Sequence, residues 1–144
     1  MILKQEADEK VVQGWLRVCL IFEVLAALEE TTKSSLENLI NKLEKDSRVK
    51  LYKKEFSPIE EVEKPMKNIE KGFSQICETE LITKNFDNLV QIVIEYGPSS
   101  VELLEPKRLE IDQGEAQGIL NTISEMMHRF AAAGIGGVII VKGG

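Results

Sequence analysis

The chain has 144 residues, 43% hydrophobic and 29% charged, with a formal net charge of −6. This suits one soluble domain with a single core, and the negative balance disfavours wholesale binding to nucleic acid or anionic membranes, whose phosphates would repel it. Two cysteines and one histidine make neither a disulfide framework nor a two-histidine metal site, which fits a reducing, cytoplasmic setting.

Residues 1 to 10 are mostly charged and do not read as a secretory leader. Residues 7 to 30 read as one long helix, because Val11, Trp15, Cys19, Phe22 and Ala26 recur every three or four positions. Leu16, Leu20, Val24 and Ala27 add a second stripe, so Val18 to Leu28 is apolar nearly all round, although Glu23 breaks it and it is too short to span a bilayer. Such a helix is buried on several sides, centrally or against a second copy, and Trp15, Phe22 and Leu25 are its candidates for self-association. After a break at Thr31 to Lys33, Ser34 and Glu37 form a capping box ahead of Leu36, Leu39, Ile40 and Leu43. Residues 1–47 are therefore expected to form a helical hairpin.

Val49 to Phe56 suits a half-exposed strand, and residues 57–70 a polar connection with room for a strand extension through Ile59 and Val62. Phe73 to Thr83 is a second strand candidate, its imperfect alternation leaving a bulge or a helical fragment open. Phe86, Leu89, Val90 and Val93 take helical spacing with Asn85 placed to cap. Gly97 and Pro98 then stop the helix, since glycine enters the left-handed region freely and proline cannot continue. Val101 to Leu104 reads as a short buried strand closed by Glu105-Pro106. Asp112 and Glu115 open a further helix whose inner face is Ala116, Ile119, Leu120, Ile123, Met127 and Phe130, with Gly134, Gly136 and Gly137 ending it before a strand over Val138 to Val141. The order ααββαβαβ predicts an α+β fold in one domain, the hairpin followed over 48–144 by a small mixed sheet with helices on one face.

Chemistry-bearing groups are sparse. His128 stands alone beside the apolar stripe and reads as a partly buried structural residue. Glu95, Glu102, Glu105 and Glu110 gather around the glycine–proline turn, and Glu102 with Glu105 is the pair that could hold magnesium or act as acid and base; carboxylates at element ends more often face water. Gly134 to Gly137 follows a helix and precedes a strand, the reverse of a phosphate cradle. Gly143-Gly144 resembles the diglycine tail of ubiquitin-like modifiers but trails Val141 by only Lys142. Residues 42 to 54 hold six cations against two anions. With the capped helix and strand they resemble the recognition helix and wing of a winged-helix domain, although three short helices should precede the wing. Lys45, Arg48, Lys50, Lys53 and Lys54 carry that nucleic-acid alternative, and a solvated face is the plainer reading.

The run Leu89 to Pro106, above all Tyr96-Gly97-Pro98 and Val101-Glu102-Leu103-Leu104-Glu105-Pro106, resembles the C-terminal extension of WYL-type transcriptional regulators, where a helix ends in an aromatic–glycine turn and a strand ends in Leu-Glu-Pro. The likeness covers about 20 residues and marks a turn, not chemistry. The whole chain also resembles uncharacterised archaeal proteins grouped as domains of unknown function. The expectation is a non-enzymatic binding domain with no catalytic, metal or cofactor site. Its partner would be a second copy or another protein, nucleic acid coming second and no membrane being engaged. Tyr96, Ser99, Ser100 and Glu102 are the candidate ligand-binding residues.

Overall fold

A computed structural model describes residues 1–134. The strand expected over Val138 to Val141 and the diglycine Gly143-Gly144 lie outside these residues. The elements run α1 (Lys4–Val12), β1 (Leu16–Ala26), α2 (Glu29–Lys45), β2 (Val49–Phe56), β3 (Glu60–Met66), β4 (Ile69–Thr83), α3 (Phe86–Tyr96), β5 (Ser100–Glu105) and α4 (Gln113–Ala132). The α+β class is as the sequence implied. The helical hairpin is not, because its apolar run 16–26 is a strand.

That strand lies in the middle of the sheet. β1 pairs with β4 on one side and β5 on the other, in the order β2-β4-β1-β5, with β3 also on β4. Among the described residues all the ladders are antiparallel, where a mixed sheet was expected. β1 pairs with Phe73–Thr83 of β4, so β2 and β3 follow one another along the opposite side of β4. Without α1, β3 and α4 this is the split βαββαβ arrangement of ferredoxin-like domains.

Two periodicities coexist in residues 16–26, and the strand's won. Leu16, Val18, Leu20 and Phe22 alternate into the core, while Arg17, Ile21 and Glu23 point to the other face. A left-handed Gly14 (φ +103°) separates α1 from β1. The run looked apolar all round because a central strand is covered on one face and half-covered on the other.

α2 and α3 cover the core face. Leu36, Ile40 and Leu43 of α2, and Leu89, Ile92 and Tyr96 of α3, meet Leu16, Val18, Leu20 and Phe22 of β1 with Leu51, Cys77 and Leu81. Three threonines are buried, and each hydroxyl reaches a main-chain carbonyl: Thr32 those of Leu28 (3.0 Å) and Phe73 (2.9 Å), Thr79 that of Leu20 (2.8 Å), Thr83 that of Arg48 (2.8 Å). Thr31 and Thr32 lie inside α2, which starts at Glu29, so the Ser34–Glu37 box is not a helix start. α1 sits at one end of the opposite face, where the main-chain N–H of Ile2 donates to Leu51 (2.9 Å) and Asp8 meets Arg17.

The caps of α3 and α4 interlock. Asn85 Oδ1 accepts from Asn88 N (2.8 Å), and Gly97 closes the helix in the left-handed region (φ 58°, ψ 53°), as its sequence implied. Asp112 caps α4 by accepting from Glu115 N (2.8 Å). The Glu115 carboxylate does not turn back to complete its own box; it accepts from Phe86 N (2.7 Å) and Asp87 N (3.2 Å), the first two N–H groups of α3. One helix thus satisfies the orphan donors of its neighbour.

Candidate functional site

The turn between α2 and β2 carries the densest polar network. Arg48 reaches Asp46 (2.7 Å), Glu95 (2.6 Å) and the Gln91 side chain (3.1 Å), and the Tyr96 hydroxyl donates to Asp46 (2.9 Å). Arg48 holds the Asp46 carboxyl far below the usual range, outweighing the burial that opposes it. Burial, then the Asp46 carboxylate, pushes the Tyr96 phenol up to about 12. Both groups keep one protonation state near neutrality, which suits a clamp between α2 and α3 rather than proton transfer.

This network engages one residue from each of two expected sites, Tyr96 of the ligand group and Arg48 of the basic segment. Tyr96 faces the core side and is pinned to α2, whereas Glu102 lies on β5 opposite Cys19, and the Ser99 hydroxyl donates to the Ile21 carbonyl (3.1 Å). Ser100 is exposed, opposite Ile21. The four ligand candidates do not converge. In the basic segment Arg48 is engaged as above, Lys54 pairs with Glu44 (2.9 Å) and Lys53 with Glu80 (3.4 Å), while Lys45 and Lys50 are exposed. Each ion pair removes a charge that a phosphate would need. Of the carboxylates weighed for a metal, Glu105 pairs with Arg17 (3.0 Å) and Glu95 with Arg48. His128 is exposed rather than partly buried.

A charged cleft of about 600 Å³ opens between α1 and the sheet, lined by Lys4, Asp8, Arg17, Tyr52, Lys53, Glu80 and Glu105. A shift in register between Arg17 and Val18 brings Arg17 beside Glu105. Arg17 also pairs with Asp8 and stacks over the Tyr52 ring at 5.2 Å, and the Tyr52 hydroxyl meets Glu80 (3.2 Å). Three cations face three carboxylates, most already paired with one another. On the cleft face of β1, burial and then Glu78 push the Cys19 thiol up to about 11, and burial does the same for Cys77 in the core, so both stay protonated and weakly nucleophilic.

The second opening is apolar. Phe86, Leu89, Val90, Val93 and Ile94 of α3, Val101 and Leu103 of β5, and Ile123 and Met126 of α4 line a groove of about 510 Å³. α4 packs chiefly on α3, using the side that carries Glu115, Gly118, Thr122 and Met126; a Cβ at Gly118 would stand 3.2 Å from Asp87 Oδ2. The face read as inner is covered only in part: Ala116 and Ile119 are half-buried and Ile123 lines the groove, but Leu120 is 62% exposed, and Ile123, Met127 and Phe130 are also exposed. None of the 20 residues of α4 is buried. The self-association candidates fare unequally, since Phe22 is 1% exposed in the core, Trp15 is half-buried under Lys10, and Leu25 is exposed.

A family model matches residues 17–141, from the first core strand past the last described helix. The chain belongs to the MJ0538 family. The matched span holds the whole apolar groove, whereas α1, which supplies Lys4 and Asp8 to the charged cleft, lies outside the span that matches this family. No curated protein and no solved structure matches the chain. Within this MJ0538-family chain, the segment likened to WYL-type regulators is the end of α3, its Gly97 stop and β5. No described helix is long and apolar enough to cross a membrane.

The sequence missed Arg17, Tyr52 and Glu80, since the cleft assembles from four strands, and only strand alternation after Trp15 would have signalled that Arg17 leaves the core. It did contain the apolar residues of α4 and β5 but gave no sign that they stand exposed among the described residues.

Proposed function

We propose that this chain is a non-enzymatic interaction domain that works by self-association, in a reducing cytoplasmic setting consistent with its two separate, buried free cysteines. The observation that supports this reading is the apolar surface of α4 and β5, where Leu103 is 44% and Leu120 62% exposed beside the groove. Contiguous apolar surface of this kind marks a contact site, since leaving it in water costs about 25 cal/mol per Å². This surface replaces the one built on Trp15, Phe22 and Leu25. Phe22 cannot serve two cores at once.

Light scattering coupled to size-exclusion chromatography tests the reading. The expected result is a dimer or higher species across the micromolar range, and a monomer throughout that range would overturn it.

A further inference from the structure

The exposed side of α4 has a finer pattern than its apolar content. Leu120, Ile123, Met127 and Phe130 are spaced three, four and three residues apart, the seam of a helix that packs along another helix. The flanks of that seam are Gln117, Ser124 and Ala131 on one side and Ile119, Met126 and Ala133 on the other, all uncharged. The charged residues of the helix, Glu115, Glu125 and Arg129, stand elsewhere, and Arg129 meets Glu125 at 3.6 Å. In a chain of net charge −6 this is a strip along which two copies can approach without like charges meeting.

We propose that two copies pair through α4, antiparallel about a two-fold axis near residue 125, and this rests on the self-association reading above. A two-fold interface uses one patch twice, so the seam must complement itself. In the antiparallel register Leu120 meets the partner's Phe130, and Ile123 meets the partner's Met127. Ala116 then faces the partner's Gly134, where the small residues let the helix ends close. The opposed orientation also sets each helix N-terminus beside the other's C-terminus, which the helix dipoles favour. Leu103 and Val101 of β5 lie next to this seam and extend the covered area.

Charge substitution and cross-linking on the full chain, and one truncation, test it. Leu120→Glu and Met127→Glu place a charge on the seam at positions already exposed, so the fold survives, with circular dichroism as the check. Each should weaken the dimer at least tenfold. Ser124→Cys should be linked by a short bis-maleimide, whereas Gln117→Cys should not, because antiparallel pairing separates the two copies of residue 117 by ~24 Å along the axis. A wild-type monomer overturns both the reading and this pairing. A dimer indifferent to Leu120→Glu and Met127→Glu overturns the pairing alone, as does linking through Gln117→Cys in place of Ser124→Cys. A dimer lost only on deleting residues 135–144 would assign the contact to that end of the chain and also overturns the α4 pairing.

Discussion

α2 and α4 are both amphipathic helices of similar length, with 17 and 20 residues, yet they meet opposite fates. α2 lies over β4 and β1, the two central strands, and its Leu36, Ile40 and Leu43 are fully buried. α4 lies at the end of the sheet, chiefly against α3, and buries none of its residues. Apolar periodicity says that a helix has a side that avoids water; it does not say what covers that side. Coverage depends on where the sheet runs out, and among the described residues it runs out at β5. The contrast can be broken or sharpened by substitution, beginning where the effect should be greatest.

Ile40→Ala removes a fully buried side chain from between α2 and the sheet. It should cost ~2–5 kcal/mol of unfolding free energy, because the lost transfer energy adds to that of the cavity. Urea unfolding measures this. A loss under ~1 kcal/mol would mean that α2 is not the covered helix.

Arg48→Met tests the clamp that ties α2 to α3; α4 is tied to α3 through Glu115. Asp46 would stay nearly buried without its cation, at a cost of ~1–3 kcal/mol. Glu95 is half-exposed and adds little. The pH dependence has a fixed sign. Arg48 depresses both the Asp46 and Glu95 carboxyls, so their contribution is whole above the unfolded carboxylate pKa of about 4 and drains away as pH falls through the folded values. The stability gap between wild type and Arg48→Met should therefore be widest near neutrality and narrow at pH 3. A gap that stays constant would make the residue a packing element only.

Gly97→Ala probes the stop that separates α3 from β5. Nothing lies within 4 Å of the added Cβ, so the penalty comes from the backbone alone, about 1–2 kcal/mol at φ +58°. Gly97→Asn should cost less, since asparagine tolerates this region. Equal losses for the two would point to something other than φ.

Much of the second half was legible because its signals are local. Asn85, Gly97 and Asp112 sit where caps and stops must be, and no distant contact overrides them. The helix expected over 7–30 was not legible as a strand because residues 16–26 satisfy two periods, and only the pairing partners Phe73–Thr83 and Ser100–Glu105 decide between them. Those partners lie dozens of residues away. Glu115 shows the same limit at the scale of one side chain: it is well placed for a local box, and instead caps the helix beside it. The ligand candidates do not converge for a related reason. Spacing along the chain placed Tyr96 near Glu102, but the Gly97 turn sends one to the core face and the other to the opposite face of the sheet.

The smallest effect should come from Leu120→Ala. Leu120 is as apolar as Ile40 and as well placed in its helical stripe, but it stands largely in water. Removing it leaves no cavity in the described fold, and alanine is the better helix former, so denaturant unfolding at low protein concentration should move by less than ~0.5 kcal/mol. The same substitution should weaken self-association, because the atoms removed belong to the contact and not to the core. Stability and association would then separate at one residue, whereas Ile40→Ala moves the first and disturbs the second only by unfolding the chain. If Leu120→Ala unfolds the protein as Ile40→Ala does, the outer side of α4 is covered within its own chain, and the distinction between the two helices disappears.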